Sequence, residues 1–165
     1  MSAAAQPAVQ LRWERNGTFA HDYTLRGNGA TLRFPKLMSA RAQGSIGDRS
    51  YTFDTKGIVR REVTVLQDPF DQEAATMRLS RGGGTLELMD GRRFVLVREG
   101  MLKLSWSFRD DRGRELISFK VPAFKPRVGE VTAAPSVMSD KALPLLLLVG
   151  WYVVIQMLDR MGASH

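Results

Sequence analysis

The chain contains no cysteine in its 165 residues. That absence removes disulfide staples, thiol nucleophiles, iron–sulfur ligation and thiolate zinc sites together. Histidine is almost missing too: His21 and the terminal His165 are the only two, so a catalytic triad or a histidine metal centre has little to draw on. Acidic residues are the minority charge, with 17 Asp and Glu against 24 Lys and Arg, giving +7 at pH 7 and a sequence pI near 10.2. Met1 to Gln10 lack both the basic start and the apolar core of a secretory signal, so a cytoplasmic location is expected. Asn16-Gly17-Thr18 matches a glycosylation sequon but, without such a signal, reads as a turn. Gly82-Gly83-Gly84 is followed by no Lys-Ser/Thr pair and no helix, so it reads as a hairpin loop and not a phosphate cradle.

What the chain has in quantity is alternation. Leu102, Leu104, Trp106 and Phe108 alternate with Lys103, Ser105, Ser107 and Arg109, which puts one set of side chains on each face of a half-buried antiparallel strand. Val9, Leu11 and Trp13 do the same against Gln10, Arg12 and Glu14, as do Leu86 and Leu88 against Thr85 and Glu87. Tyr51 and Phe53 alternate with Ser50, Thr52 and Asp54. Turn formers separate these runs, among them Asn28-Gly29, Gly47-Asp48, Lys56-Gly57, Asp90-Gly91 and Asp111-Arg112-Gly113. The runs number roughly twelve at spacings of about 8–12 residues, the pattern of an all-β barrel or sandwich. Met38 to Gln43 and Val128 to Ala134 carry the faintest strand signals. Residues 123–139, close to Pro122 and containing Pro126 and Pro135, predict an irregular edge strand and a connector.

The last segment is different. From Ala142 to Leu158 there is no charge, and Gln156 is the only strongly polar side chain. Its large apolar side chains each contribute about 1.5–3 kcal/mol on burial, a gross term of roughly 20–40 kcal/mol, so exposure to water is excluded. As a helix it is about 26 Å long, slightly short for a ~30 Å hydrocarbon core. Twelve strands at ~4.8 Å spacing and ~40° tilt close into a cylinder of radius about 12 Å, wider than side chains alone can fill. A helix on the axis fills that space, because packed layers sit about 8–10 Å apart. The expectation is therefore one domain over residues 8–160, an antiparallel closed barrel of about twelve strands around a central hydrophobic helix at 142–160. Residues 1–7 and 161–165 are expected to be disordered. The competing destination for the helix is a bilayer, as a carboxy-terminal tail anchor.

Tyr51-Thr52-Phe53 with Lys56-Gly57, Val63-Thr64-Val65, Leu86 to Gly91, Trp106-Ser107-Phe108 ahead of Gly113, and Leu143-Pro144-Leu145 through Trp151-Tyr152 together resemble the superfamily of tubby carboxy-terminal domains, phospholipid scramblases and LURP-one-related proteins. The resemblance spans about residues 20 to 160 and implies a twelve-stranded barrel wrapped around a hydrophobic carboxy-terminal helix. It also implies a link to membranes, since tubby domains bind phosphoinositides and scramblases are tied to calcium-dependent lipid movement. The chain departs from the scramblase pattern in having no cysteine cluster and no proline-rich amino terminus. Asp68, Asp71 and Glu73 lack the spacing, central Gly and terminal Glu of a calcium loop and read as a solvated turn.

No arrangement of residues declares a reaction, and none calls for a cofactor or a metal. Asp110 and Asp111, among Arg109, Arg112 and Arg114, read as a solvated turn. The remaining functional signal is clustered positive charge: Arg60 with Arg61, Arg92 with Arg93, Arg109 with Arg112 and Arg114, and Lys125 with Arg127. These clusters suit anionic phospholipid headgroups at a membrane surface. Nucleic acid ranks lower, because no recognition helix or aromatic-studded RNA-binding strand is present. The reading is a non-enzymatic binding or scaffold module, cytoplasmic and peripheral to the membrane. A tail-anchored protein and an enzyme using a surface carboxylate site are the alternatives.

Overall fold

The structure, a computed structural model, describes residues 7–17, 20–35, 40–57, 59–100, 104–125 and 127–163. Its strands are β1 (Val9–Arg15), β2 (Asp22–Arg26), β3 (Thr31–Arg33), β4 (Arg41–Ile46), β5 (Arg49–Lys56), β6 (Glu62–Gln67), β7 (Gln72–Ser80), β8 (Gly83–Leu88), β9 (Arg93–Arg98), β10 (Ser105–Arg109), β11 (Glu115–Lys120) and β12 (Val128–Ala133). A short 3-10 turn, Pro135–Val137, leads into the helix α1 (Leu143–Ala163). Every strand pairs antiparallel with its neighbours in sequence, and β1 closes the ring against β12, from Val9↔Ala133 to Glu14↔Val128. The wall is an up-and-down meander without a free edge.

Period-two alternation decides which side chains enter the barrel. Trp13, Leu25, Phe53, Val63, Val65, Met77, Leu86, Trp106, Phe108 and Phe119 are buried inside, while their strand neighbours face out. Ser107 points outward yet is buried, because Glu99 and Arg109 cover it and its hydroxyl donates to the Glu99 carboxylate at 2.6 Å.

The apolar helix occupies the barrel centre, as the width of a twelve-strand lumen predicts, and not a bilayer. Leu143–Met161 is long and apolar enough to cross a membrane, but 72% of that window is buried inside the barrel. Each helical residue turns about 100° from the last, which on a twelve-strand wall is a step of about three strands. Three consecutive positions show the consequence. Gly150 meets Phe108 and Phe119 on β10 and β11. Trp151 stacks on Trp13 at 6.2 Å and meets Tyr23 edge-on at 5.8 Å, on β1 and β2. Tyr152 stacks on Phe34 at 5.8 Å and Phe53 at 5.4 Å, on the β3 to β5 side. A helix contacted in this way from all sides can have no polar face.

Close approach explains two glycines. A Cβ on Gly150 would lie 2.6 Å from Phe119 Cε2 and 3.0 Å from Phe108 Cε2. A Cβ on Gly129 in β12 would lie 2.8 Å from Trp151 Cη2.

The structure corrects several expectations. Residues 128–133 are not an edge: β12 is hydrogen-bonded to both β1 and β11, because closure of the ring leaves no edge to occupy. Of the triple glycine only Gly82 lies in the turn; Gly83 and Gly84 are buried strand residues of β8, where a Cβ on Gly84 would lie 2.5 Å from the Arg78 carbonyl oxygen. The helix continues past residue 160 to Ala163. Residues 1–6, Thr18 of the sequon, Met38 of the predicted strand start, Leu102 and Lys103, Pro126 and His165 lie outside the described residues.

Candidate functional site

An antiparallel meander sends alternate connections to opposite ends of the barrel. The helix starts at one end, here the lower rim, and finishes at the other, the upper rim. The lower rim gathers the β2–β3, β4–β5, β6–β7, β8–β9 and β10–β11 turns together with the connector from β12 to α1. The upper rim gathers the β1–β2, β3–β4, β5–β6, β7–β8, β9–β10 and β11–β12 connections and the carboxy-terminal end of α1.

This sorting separates charge. Among the described loop residues the lower rim carries Asp48, Asp68, Asp71, Asp90, Asp110, Asp111 and Asp140 against Arg92, Arg112, Arg114 and Lys141. The upper rim carries Arg60, Arg61, Arg81, Lys125 and Arg127 against Glu99 alone. Counting the strand-terminal residues as well brings the lower rim to balance and leaves the upper rim with a large excess of cations.

The predicted cation clusters therefore do not form one surface. Arg92, Arg93, Arg112 and Arg114 lie at the lower rim, and most of them are neutralised locally. Arg92 makes a two-point pair with Asp140, both contacts at 2.7 Å. Arg93 lies 3.4 Å from Glu87, and Arg114 is 2.9 Å from Asp110. Asp110 also accepts the backbone N–H groups of Arg112 and Arg114, which hold its pKa below the usual carboxylate value. The adjacent Asp110 and Asp111 thus form a turn, as expected. Arg109 lies on the outer wall, 2.5 Å from Glu99.

Asp140 has a structural task. Its carboxylate binds Arg92 and accepts the Ala142 N–H at 2.8 Å, ahead of the first helical turn. The Arg92 hydrogen bond in particular lowers its pKa to about 2.

Arg60 and Arg61 on the β5–β6 connection and Lys125 and Arg127 on the β11–β12 connection share the upper rim, on opposite sides of its mouth. Arg127 is committed to the fold: it reaches Asp159 of the helix at 2.7 Å and hydrogen-bonds Tyr23. Burial is the largest single influence and works against its charge, but the hydrogen bonds and charge attraction of Asp159 and Tyr23 together outweigh it and its pKa is raised. Arg60 and Lys125 are exposed, Arg61 is half-buried, and none of the three forms an ion pair among the described residues. Burial lowers the Arg61 pKa, and the nearby positive charge of Arg160 lowers it further. The one loop carboxylate of this rim, Glu99, is occupied by Ser107 and Arg109, whose hydrogen bonds lower its pKa. The rim therefore presents cations with few counter-charges of its own, a field that attracts anions.

Tyr152 anchors the helix just inside this rim. Its hydroxyl donates to the Ala40 carbonyl oxygen and lies 2.6 Å from the Thr55 hydroxyl. Burial raises its pKa to about 12.

Two features here escaped sequence reasoning. Phe124 and Val59 are 98% and 94% exposed, at the tips of the β11–β12 and β5–β6 connections. Each stands beside cations, Lys125 in one case and Arg60 and Arg61 in the other. The only local signal was an apolar residue in a connection next to basic ones, and that gains meaning only when the connections are known to share a rim.

Other sites offer less. Among the described residues no group of three His, Asp or Glu side chains could hold a metal ion. An open cleft of about 660 Å³ crosses the outer wall, but two of its cations, Arg12 and Arg26, are paired with Glu130 and Glu14. By architecture this is a closed twelve-stranded antiparallel barrel built around its own hydrophobic helix. In comparisons with known proteins the chain matches no family model, no curated protein and no solved structure.

Proposed function

We propose that this protein is a non-enzymatic, peripheral membrane-binding module that recognises anionic phospholipid headgroups, and a divergent member of the tubby-like and scramblase-like superfamily. The barrel with its internal helix supports the second part. The observation that carries the first is the upper rim, where Arg60, Arg61 and Lys125 form no ion pair among the described residues, while Arg92, Arg93 and Arg114 of the lower rim are each paired with a carboxylate. Basic residues close to an anionic leaflet each contribute about 1 kcal/mol, and that contribution is screened by salt. With the lumen filled by α1, recognition falls to the outer surface and rims.

Co-sedimentation with phosphatidylcholine vesicles, with and without phosphatidylserine or a phosphoinositide, tests this reading. Binding should require the anionic lipid, weaken with added salt, and fall roughly 100-fold in the triple variant Arg60→Gln, Arg61→Gln, Lys125→Gln. The double variant Arg112→Gln, Lys141→Gln, at exposed positions of the lower rim, should bind like the parent. Equal recovery of the parent in the supernatant with every vesicle at low salt overturns the proposal.

A further inference from the structure

We infer that the upper rim docks end-on against an anionic bilayer, with Phe124 and Val59 entering the interface on opposite sides of the helix terminus. This rests on the lipid-binding reading and adds an orientation and two inserting residues to it.

The argument begins with position around the ring. The β5–β6 and β11–β12 connections stand six places apart in a closed ring of twelve strands, so their tips face each other across the mouth. With a barrel radius of about 12 Å, the tips are separated by roughly 24 Å or more. Two apolar tips so far apart, with Arg160 of α1 between them, match a broad flat surface and not a single pocket or groove.

Chemistry selects the surface. A lone exposed apolar residue is ordinary, but here each is nearly fully solvated and flanked by cations, Arg60 and Arg61 or Lys125, that form no ion pair among the described residues. An anionic interface satisfies both halves of that arrangement, taking the aromatic or aliphatic tip at headgroup depth and the cations at the phosphates. The lower rim is an internal comparison. Phe70 and Met89 are also exposed there, at 82% and 64%, but they stand among Asp68, Asp71 and Asp90. The carboxylates beside those two tips disfavour their entry into an anionic surface, and the balanced charge of that rim supplies no net attraction.

The absence of cysteine makes the test clean, since one introduced thiol is the only one present. Phe124→Cys, Val59→Cys and Phe70→Cys are each labelled with a polarity-sensitive fluorophore and titrated with phosphatidylcholine vesicles containing phosphatidylserine. The labels at 124 and 59 should shift to the blue, and the label at 70 should not. Phe124→Ala should weaken partitioning of the unlabelled protein about tenfold, and Phe70→Ala should leave it unchanged. All these residues are exposed, so the variants keep the parent's fold. If the parent binds these vesicles while the labels at 124 and 59 stay in water, or the label at 70 responds instead, the orientation is wrong and lipid binding stands. If the parent does not bind at all, both fall.

Discussion

Gly150→Ala sets two well-measured effects against each other. In a helix interior Ala is favoured over Gly by about 0.8–1.0 kcal/mol, so propensity alone makes the variant more stable. Packing opposes it. The new Cβ would lie 2.6 Å from Phe119 Cε2 and 3.0 Å from Phe108 Cε2. Both rings are fully buried, and they hold one another edge-on at 6.2 Å. Neither ring has free space to move into, so the overpacking cost belongs near the top of the usual range, about 3 kcal/mol. The net is a loss of about 2 kcal/mol, which for a chain of this size lowers Tm by roughly 4–8 °C. Thermal melts followed by circular dichroism and urea titration at constant m-value measure it. Adding Phe119→Leu should recover part of the loss relative to the sum of the single variants, because the two side chains contest one volume. A higher Tm for Gly150→Ala would mean that position 150 faces open space or lipid, and would refute the packing that places the helix inside the barrel.

Two further outcomes follow from the same core. Tyr152 has a raised pKa, so its contribution is complete below the unfolded value of about 10 and is lost as pH rises toward 12. The parent should lose roughly 2–3 kcal/mol across that window through this group. Tyr152→Phe should lack this part of the slope and be about 1 kcal/mol less stable at neutral pH, having left the Ala40 carbonyl without its donor; parallel slopes in urea titrations from pH 9 to 12 would contradict the assignment. Deleting residues 142–165 should abolish cooperative folding, since Trp13, Phe53, Phe108 and Phe119 would line an empty lumen. A truncated chain that kept its β-sheet spectrum and a sharp melt would show that the wall stands without its core.

The sequence by itself determined the strands, their inward faces and the burial of the helix. Alternation such as Trp106-Ser107-Phe108 is local, with a period fixed by backbone geometry, and it survives in any β context. The all-round apolarity of residues 143–158 likewise required a partner on every side, whatever that partner was. Tertiary structure decided what depends on residues distant in the chain. The pairing of β1 with β12 joins segments more than a hundred residues apart, and no local signal distinguishes such a closing strand from an edge, which is why residues 128–133 look like an edge strand in the sequence alone. Closure also sorted the loops between two rims. It set Arg92 against Asp140 and Arg127 against Asp159, and left Arg60, Arg61 and Lys125 beside Val59 and Phe124. Charge is legible residue by residue, but whether it is neutralised depends on distance in space, and only the folded barrel fixes that.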